Sequence, residues 1–299
     1  MSAEPLTETP AAARAARPSR ILFVLHEATR TGAPMFLLHL LRWLRRETQQ
    51  EFEVLLAKGG PLEPEFAKVA KVHGPEDGVR PPEFFARFGL LYSNTCCNGR
   101  FLEHLPYGDI PIVTHVHELD YGVNTLGAQN FAGIMRQTSH YIACAQIVAD
   151  RLHHRFRIPA ERISVHYEMI SAAGVAEGVQ AESAAALRER YDLPADACVL
   201  IGCGTVDLRK APDLFVQVAA RLHRRLGGRR PLRCCWIGKT NEPDLERMLR
   251  HDIRCLGLER EIRFIGELAA PHGLLALADL FCLTSREDPF PLVMLEAAR

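Results

Sequence analysis

The sequence predicts an α/β chain built of two consecutive Rossmann-like modules, each a parallel sheet covered on both faces, with the second module incomplete. Three observations lead there. From Arg20 onward, short and nearly continuous apolar runs alternate with longer amphipathic stretches, the pattern of strands buried on both faces and of the helices that cover them. The alternation breaks once, over 171–190, where Ala, Gly, Glu and Ser take over, and then restarts. A length of 299 residues, 47% hydrophobic and 24% charged, suits one large or two ordinary domains and excludes a disordered chain.

Residues 1–19 are rich in Ala, Pro and Arg without an apolar period and read as a disordered tail, with Glu4 and Glu8 arguing against a transit peptide. The first module, 20–170, has strand-like runs at 21–28, 52–60, 90–95, 110–119, 140–145 and 163–170, with helices expected over 34–47 and 145–156. Residues 171–190 read as a linker. The second module, 191–299, has strand-like runs at 198–205, 233–238, 262–268 and 280–285, helices expected over 212–226, 242–257 and 271–278, and a helix opening at Leu292. A doubly wound sheet usually carries five or six strands. The second module therefore reads as truncated, and this polypeptide is expected to fold poorly or to bind its ligand weakly, an uninterrupted version being the active one.

Thirty-six basic residues against 36 acidic ones give no global attraction to nucleic acid, which is not expected as a partner. Only five of the basic residues are Lys, so a Lys in a sensitive loop is informative. The nine cysteines are odd in number, lack C-x-x-C spacing and fall mostly inside apolar runs. They read as reduced core residues of a cytoplasmic protein and not as a disulfide framework or zinc site. No apolar stretch reaches the roughly 18–20 residues that span a bilayer. The Arg-rich stretch around Trp43, with Arg42, Arg45 and Arg46, fits either a solvated helix face or a peripheral contact with the inner face of the membrane.

Two such modules leave a cleft at the carboxyl ends of their strands, where ligands of open α/β sheets bind. Four constellations fall there. In HEATRTGAP, Gly32 permits an unusual backbone angle and Pro34 suits the first turn of a helix, an anion site in outline; the competing reading is a turn that merely needs glycine. In THVHEL, His115 and His117 share one face of the strand end, with Glu118 on the other. They fit a hydrogen-bonding or proton-handling role or a structural one, and a metal site lacks a third ligand. In GTVDLRKAPDLF, Gly204 turns the chain and places Arg209 and Lys210 at a helix N-terminus, whose partial positive charge disfavours cations unless an anion lies between them. In SREDPFPLVMLEAAR, Asp288 and Glu296 flank a turn held by Pro289 and Pro291 and are suited to accept hydrogen bonds from sugar hydroxyls; a chance acidic pair is the alternative.

Taken together, residues 20–299 resemble a retaining glycosyltransferase of family 4, in the GT-B superfamily of two facing Rossmann-like domains. GTVDLRKAPDLF is similar to that family's G-R-x-x-x-x-K-G diphosphate loop, DPFPLVMLE to its E-x7-E segment, and RTGAP and HVHEL to its glycine loop and active-site histidine. The resemblance implies that the second module binds a nucleotide-sugar donor and the first a glycan or lipid-linked acceptor, in polysaccharide or envelope glycan synthesis by a hexosyltransferase-type enzyme. It implies that Lys210 neutralises the departing diphosphate, with Gly32, Gly204 and Arg209 beside it, that Asp288 and Glu296 hold the sugar and ribose, and that His117 lies against the sugar. No cofactor or metal is implied, and the sequence contains no Asp-x-Asp pair. The chain departs from the pattern at Thr205, Ala211 and Asp288, where the family has Arg, Gly and Glu; Arg209 is positioned to replace the missing guanidinium. A sugar-nucleotide epimerase and a noncatalytic protein of the same fold are the rival readings. An oxidoreductase is disfavoured, since no G-x-G-x-x-G follows either first strand.

Overall fold

The computed structural model describes residues 19–78, 80–180 and 182–299; all of the expected tail but Ser19 lies outside them. The first domain runs β1 (Ile21–Leu25), α1 (Gly32–Glu47), β2 (Phe52–Leu56), α2 (Glu63–Ala67), β3 (Lys71–His73), α3 (Pro82–Phe85) and β4 (Leu90–Ser93). It continues through α4 (Gly99–Glu103), β5 (Ile112–Val116), α5 (Asp120–Leu126), α6 (Ala128–Gln137), β6 (His140–Ala143), α7 (Gln146–His154) and β7 (Ile163–Val165). After α8 (Ala172–Gln180) and α9 (Ala184–Arg190), the second domain comprises β8 (Cys198–Cys203), α10 (Pro212–Leu226), β9 (Leu232–Ile237) and α11 (Pro243–Cys255). It closes with β10 (Ile262–Gly266), α12 (His272–Leu275), β11 (Leu280–Phe281) and α13 (Leu292–Ala297).

All strands pair in parallel, in the orders β3-β2-β1-β4-β5-β6-β7 and β10-β9-β8-β11. Each domain thus begins in the middle of its sheet, grows to one side and then reverses. The reversal opens a crevice between β1 and β4 in one domain and between β8 and β11 in the other, at the carboxyl ends of the strands.

The continuous apolar runs follow from burial on both faces. Along β1, Leu22 and Val24 enter one core while Phe23 and Leu25 enter another. In β8, Leu200 faces the core under α10, and Val199 and Ile201 face the opposite one. Cys234 and Cys235 of β9 likewise point to opposite faces, so these neighbours are packing groups, and all nine thiols are free. Helix α10 keeps its expected bounds because Pro212 opens it and Gly227, with φ 54°, ends it in the left-handed conformation.

The segment read as a linker differs from expectation. It forms α8 and α9, with Val175 and Leu187 buried and both helices against α12. Its Ala and Glu content, read as loop composition, is also that of good helix formers. The strand β3 was not expected: three residues at a sheet edge carry too little periodicity to register.

Candidate functional site

The loops after β8 and β11 meet at the crevice of the second sheet. Gly204 has φ 155°, and a Cβ there would lie 3.0 Å from Cγ and Cδ of Lys210, so the lysine stem runs along the bare glycine. The turn is fixed from behind: Trp236 Nε1 donates to the Gly204 carbonyl (2.9 Å), and the Lys210 amide donates to Asp207 Oδ1 (2.8 Å). Gly238, with φ 149°, passes so close that a Cβ would sit 1.9 Å from the Gly204 oxygen. Ala211, where the family pattern has Gly, is held left-handed at φ 56° as the N-cap of α10.

From the other side, the Arg286 amide donates to the Arg209 carbonyl (2.8 Å) and Thr284 Oγ1 to the Ala211 carbonyl (3.0 Å). These bonds carry Asp288 to the two cations: Lys210 Nζ donates to its carboxylate, and Arg209 Nη1 lies 3.8 Å away while donating to the Glu287 carbonyl at 3.0 Å. The structure therefore brings Gly204, Arg209, Lys210 and Asp288 together. The anion expected between the cations at the helix N-terminus is, in the free chain, Asp288 itself. Thr205 does not face this group; its hydroxyl donates to Asp207 within the loop.

Glu296 is placed differently from its partner in the motif. Its carboxylate lies 3.7 Å from His272 Nε2, and His39 of α1 feels its charge across the cleft. It still shares the end of β8 with Lys210: burial pushes the Cys203 thiol up to about 12, Glu296 adds to the shift and Lys210 opposes it.

In the first domain, Gly32 does not act as expected. Its φ is not in the left-handed region, and a Cβ there would meet nothing within 4 Å. What fits an anion at that place is open space above the first turn of α1, which has neither a side-chain cap nor an acidic residue. Arg42 pairs with Glu65 (2.7 Å), Arg45 donates to the Val69 carbonyl (2.8 Å) and Arg46 pairs with Glu47 (2.5 Å), so all three arginines are engaged within the chain.

His115 and His117 share a face, as their spacing predicts, with ring centroids 4.2 Å apart and Phe36 edge-on to His115 at 4.9 Å. His115 Nδ1 bonds the Tyr92 hydroxyl (2.7 Å). Burial pushes the Tyr92 phenol up and the His115 imidazole well below its ordinary value, so both stay neutral. Glu118 anchors the strand end, accepting from the Thr95 hydroxyl and from the amides of Cys96 and His117. His117 Nδ1 lies 2.5 Å from Glu168 Oε1, and its Nε2 is buried without a partner among the described residues.

Sequence reasoning missed Glu168, although an acid at the carboxyl end of an apolar run was a usable signal. Among the described residues, His115, His117 and Glu168 form the one group whose potential ligating atoms lie within 4.8 Å of one another. The third ligand that the sequence did not locate thus exists, but it is already the hydrogen-bond partner of His117. Glu287 was also missed: its carboxylate accepts from the amides of Tyr121 (2.9 Å) and Gly122 (3.3 Å) at the start of α5. Phe290 contacts Tyr167 (centroids 5.6 Å apart) and packs on the first domain's core. The loop that carries Asp288 is therefore also a contact between domains.

This geometry agrees with the similarities found. Residues 184–299 match the family profile of the Glycosyl transferases group 1. A stretch of 123 residues is 37% identical to the D-inositol 3-phosphate glycosyltransferase of Kineococcus radiotolerans, covering 38% of this chain and 27% of that protein, so the match spans about a quarter of the curated relative's length. Among solved structures, Anabaena HepE in complex with UDP-glucose superposes with a TM-score of 0.71 at 20% identity, over 93% of this chain and 77% of that one. The catalytic domain of starch synthase IV from Arabidopsis thaliana, bound to ADP and acarbose, gives 0.63 at 12% identity, over 94% and 81%. The fold is GT-B, with two Rossmann-like sheets of seven and four parallel strands.

Proposed function

We propose that the protein is a retaining glycosyltransferase of family 4 that uses a nucleotide-sugar donor and no metal, with a glycan or lipid-linked acceptor. The observation that carries this reading is the convergence of Lys210 and Arg209 on Asp288 at the crevice of the second sheet, above the N-terminus of α10. A donor diphosphate entering there meets two cations and a helix dipole. As the bond from the anomeric carbon to the diphosphate breaks, negative charge grows on the leaving oxygen, and fixed cations stabilise that charge more than the ground state. Asp288, released from Lys210, is then free to accept from hydroxyls of the sugar, with Glu296 on the ribose side. His117 faces the transferred sugar from the first domain.

The test is release of nucleoside diphosphate from UDP-, ADP- and GDP-sugars, with and without candidate acceptors. Lys210→Ala is expected to abolish release. If Arg209→Ala left donor affinity and rate unchanged, Arg209 would not replace the guanidinium missing at Thr205. An absence of both binding and release with every donor would refute the enzyme reading in favour of a noncatalytic protein of this fold.

A further inference from the structure

Glu168 lies just beyond β7, where the chain passes between the domains. Its neighbour Tyr167 turns outward onto Phe290, two residues from Asp288, while Glu168 turns inward and is 7% exposed. A carboxylate removed from water needs a hydrogen-bond donor, and the one it has is His117 Nδ1 at 2.5 Å.

The consequence falls on the other ring nitrogen. A neutral imidazole carries a single N–H. Donating it from Nδ1 to Glu168 leaves Nε2 as a bare acceptor. That Nε2 is buried and has no hydrogen-bond partner among the described residues, an exception among buried polar atoms that calls for an explanation. The neighbouring rings do not satisfy it: His115 is bonded through Nδ1 to Tyr92 while its own Nε2 makes no hydrogen bond among the described residues, and Phe36 offers only its hydrocarbon ring. The other titratable groups in reach, His26 and Glu118, have their own partners in Glu27 and in the Thr95 hydroxyl and Cys96 amide.

We propose that Glu168 is a positioning residue: it holds His117 with its proton on Nδ1, so that Nε2 is kept as the acceptor for a hydroxyl of the bound sugar. The identity of the hydroxyl rests on the glycosyltransferase reading; the placement of the proton does not. Metal-bound histidines oriented by a carboxylate lose roughly 10–100-fold in affinity or activity when that partner is changed, and the same order is expected here because the wrong tautomer presents a donor where an acceptor is needed.

The experiment uses the full chain labelled with 15N-histidine, with His117→Ala to assign the signals. Long-range 1H–15N spectra of the wild type are expected to show His117 protonated at Nδ1 and unprotonated at Nε2, with the Nε2 signal moving when a nucleotide sugar is added. Glu168→Gln keeps size and polarity. It is expected to convert the signal to a mixture of tautomers and to lower kcat roughly 10–100-fold, with donor KM within about threefold and melting unchanged. In the His117→Ala background the same substitution is expected to change kcat less than about twofold, since the two residues act as one unit. An unchanged tautomer in Glu168→Gln, or an equal loss of kcat in the His117→Ala background, overturns the proposal. A wild-type chain that neither binds nor turns over any donor overturns the glycosyltransferase reading instead, and the tautomer measurement still decides the role of Glu168.

Discussion

Replacing Lys210 by Met removes an ammonium from a carboxylate that is 11% exposed, in a pair whose lysine side chain is 15% exposed. Breaking a buried pair by deleting one partner costs about 3–5 kcal/mol. Here the loss is cushioned: Arg209 stays 3.8 Å from Oδ1, and Ser285 Oγ lies 3.3 Å from Oδ2. We therefore expect Lys210→Met to destabilise the protein by about 2 kcal/mol, a fall of roughly 4–8 °C in melting temperature. Asp288→Asn strands the ammonium instead and should cost a similar amount. The double variant loses both charges together, so the cycle should return a coupling of about 2 kcal/mol, against the 0.3–0.5 kcal/mol scatter of independent sites. Titration with nucleoside diphosphate separates the roles by sign. Lys210→Met should bind roughly 10–150-fold more weakly, the worth of one charge-assisted hydrogen bond, whereas Asp288→Asn frees the cation from its internal partner and should bind as tightly as the wild type or more so. Additive stabilities, or equal weakening by both variants, would refute the argument that Asp288 occupies the anion position in the free chain.

Other consequences are equally direct. Gly238→Ala forces a methyl group to within 1.9 Å of the Gly204 oxygen at a φ of 149°; it should cost on the order of 4 kcal/mol and abolish diphosphate binding, and wild-type melting and affinity would contradict this. His39 has both ring nitrogens buried without partners among the described residues, so His39→Leu should raise stability by about 1–2 kcal/mol, read in urea unfolding, and a loss of stability would show that the ring is satisfied. Burial depresses the pKa of His26, His39 and His115 below 6.5 in the folded chain. The unfolded chain then binds more protons on acidification, so their contribution is fully present above pH 6.5 and is lost as pH falls toward the folded values. Melting temperature should be flat at pH 7–8 and decline below about 6.5, less steeply in His39→Leu. Glu287→Ala removes the acceptor that joins the Asp288 loop to α5; it should broaden the interdomain distances seen by small-angle scattering at a cost of only about 1 kcal/mol in stability, and an unchanged profile would mean the domains are held elsewhere.

The elements legible in the sequence are those whose causes are local. Strands β1 and β8 could be read because burial on both faces needs an unbroken apolar run, and α10 because Pro212 and Gly227 punctuate it. The loop holding Lys210 could be read because scarce lysine, a turning glycine and a helix start fall within a few residues. What escaped depends on distance along the chain. Glu168 finds its partner 51 residues away and Glu287 finds Tyr121 at a separation of 166, and no period or spacing encodes such meetings. The unusual angle expected at Gly32 is not adopted, and the reason is the opposite one: glycine has several uses, and the composition of a turn does not say whether the residue serves φ or simply leaves room. Glu296 kept its motif spacing but turned toward His272 and His39, because the face that a short helix presents is decided by what packs under it.

The contact between domains and the anion site are not independent features of this chain. Within 285–290, Asp288 pairs with Lys210, Glu287 reaches the amides that open α5, and Phe290 rests on Tyr167 and the first domain's core. Arg209 touches both, since its guanidinium donates to the carbonyl of Glu287 while lying beside the carboxylate of Asp288. The contact between the domains and the anion site therefore share the six consecutive residues 285–290. On the first domain's side Tyr167 bears on Phe290 while its neighbour Glu168 bonds His117, so the loop that carries Asp288 and the histidine across the cleft meet adjacent residues of the chain just beyond β7.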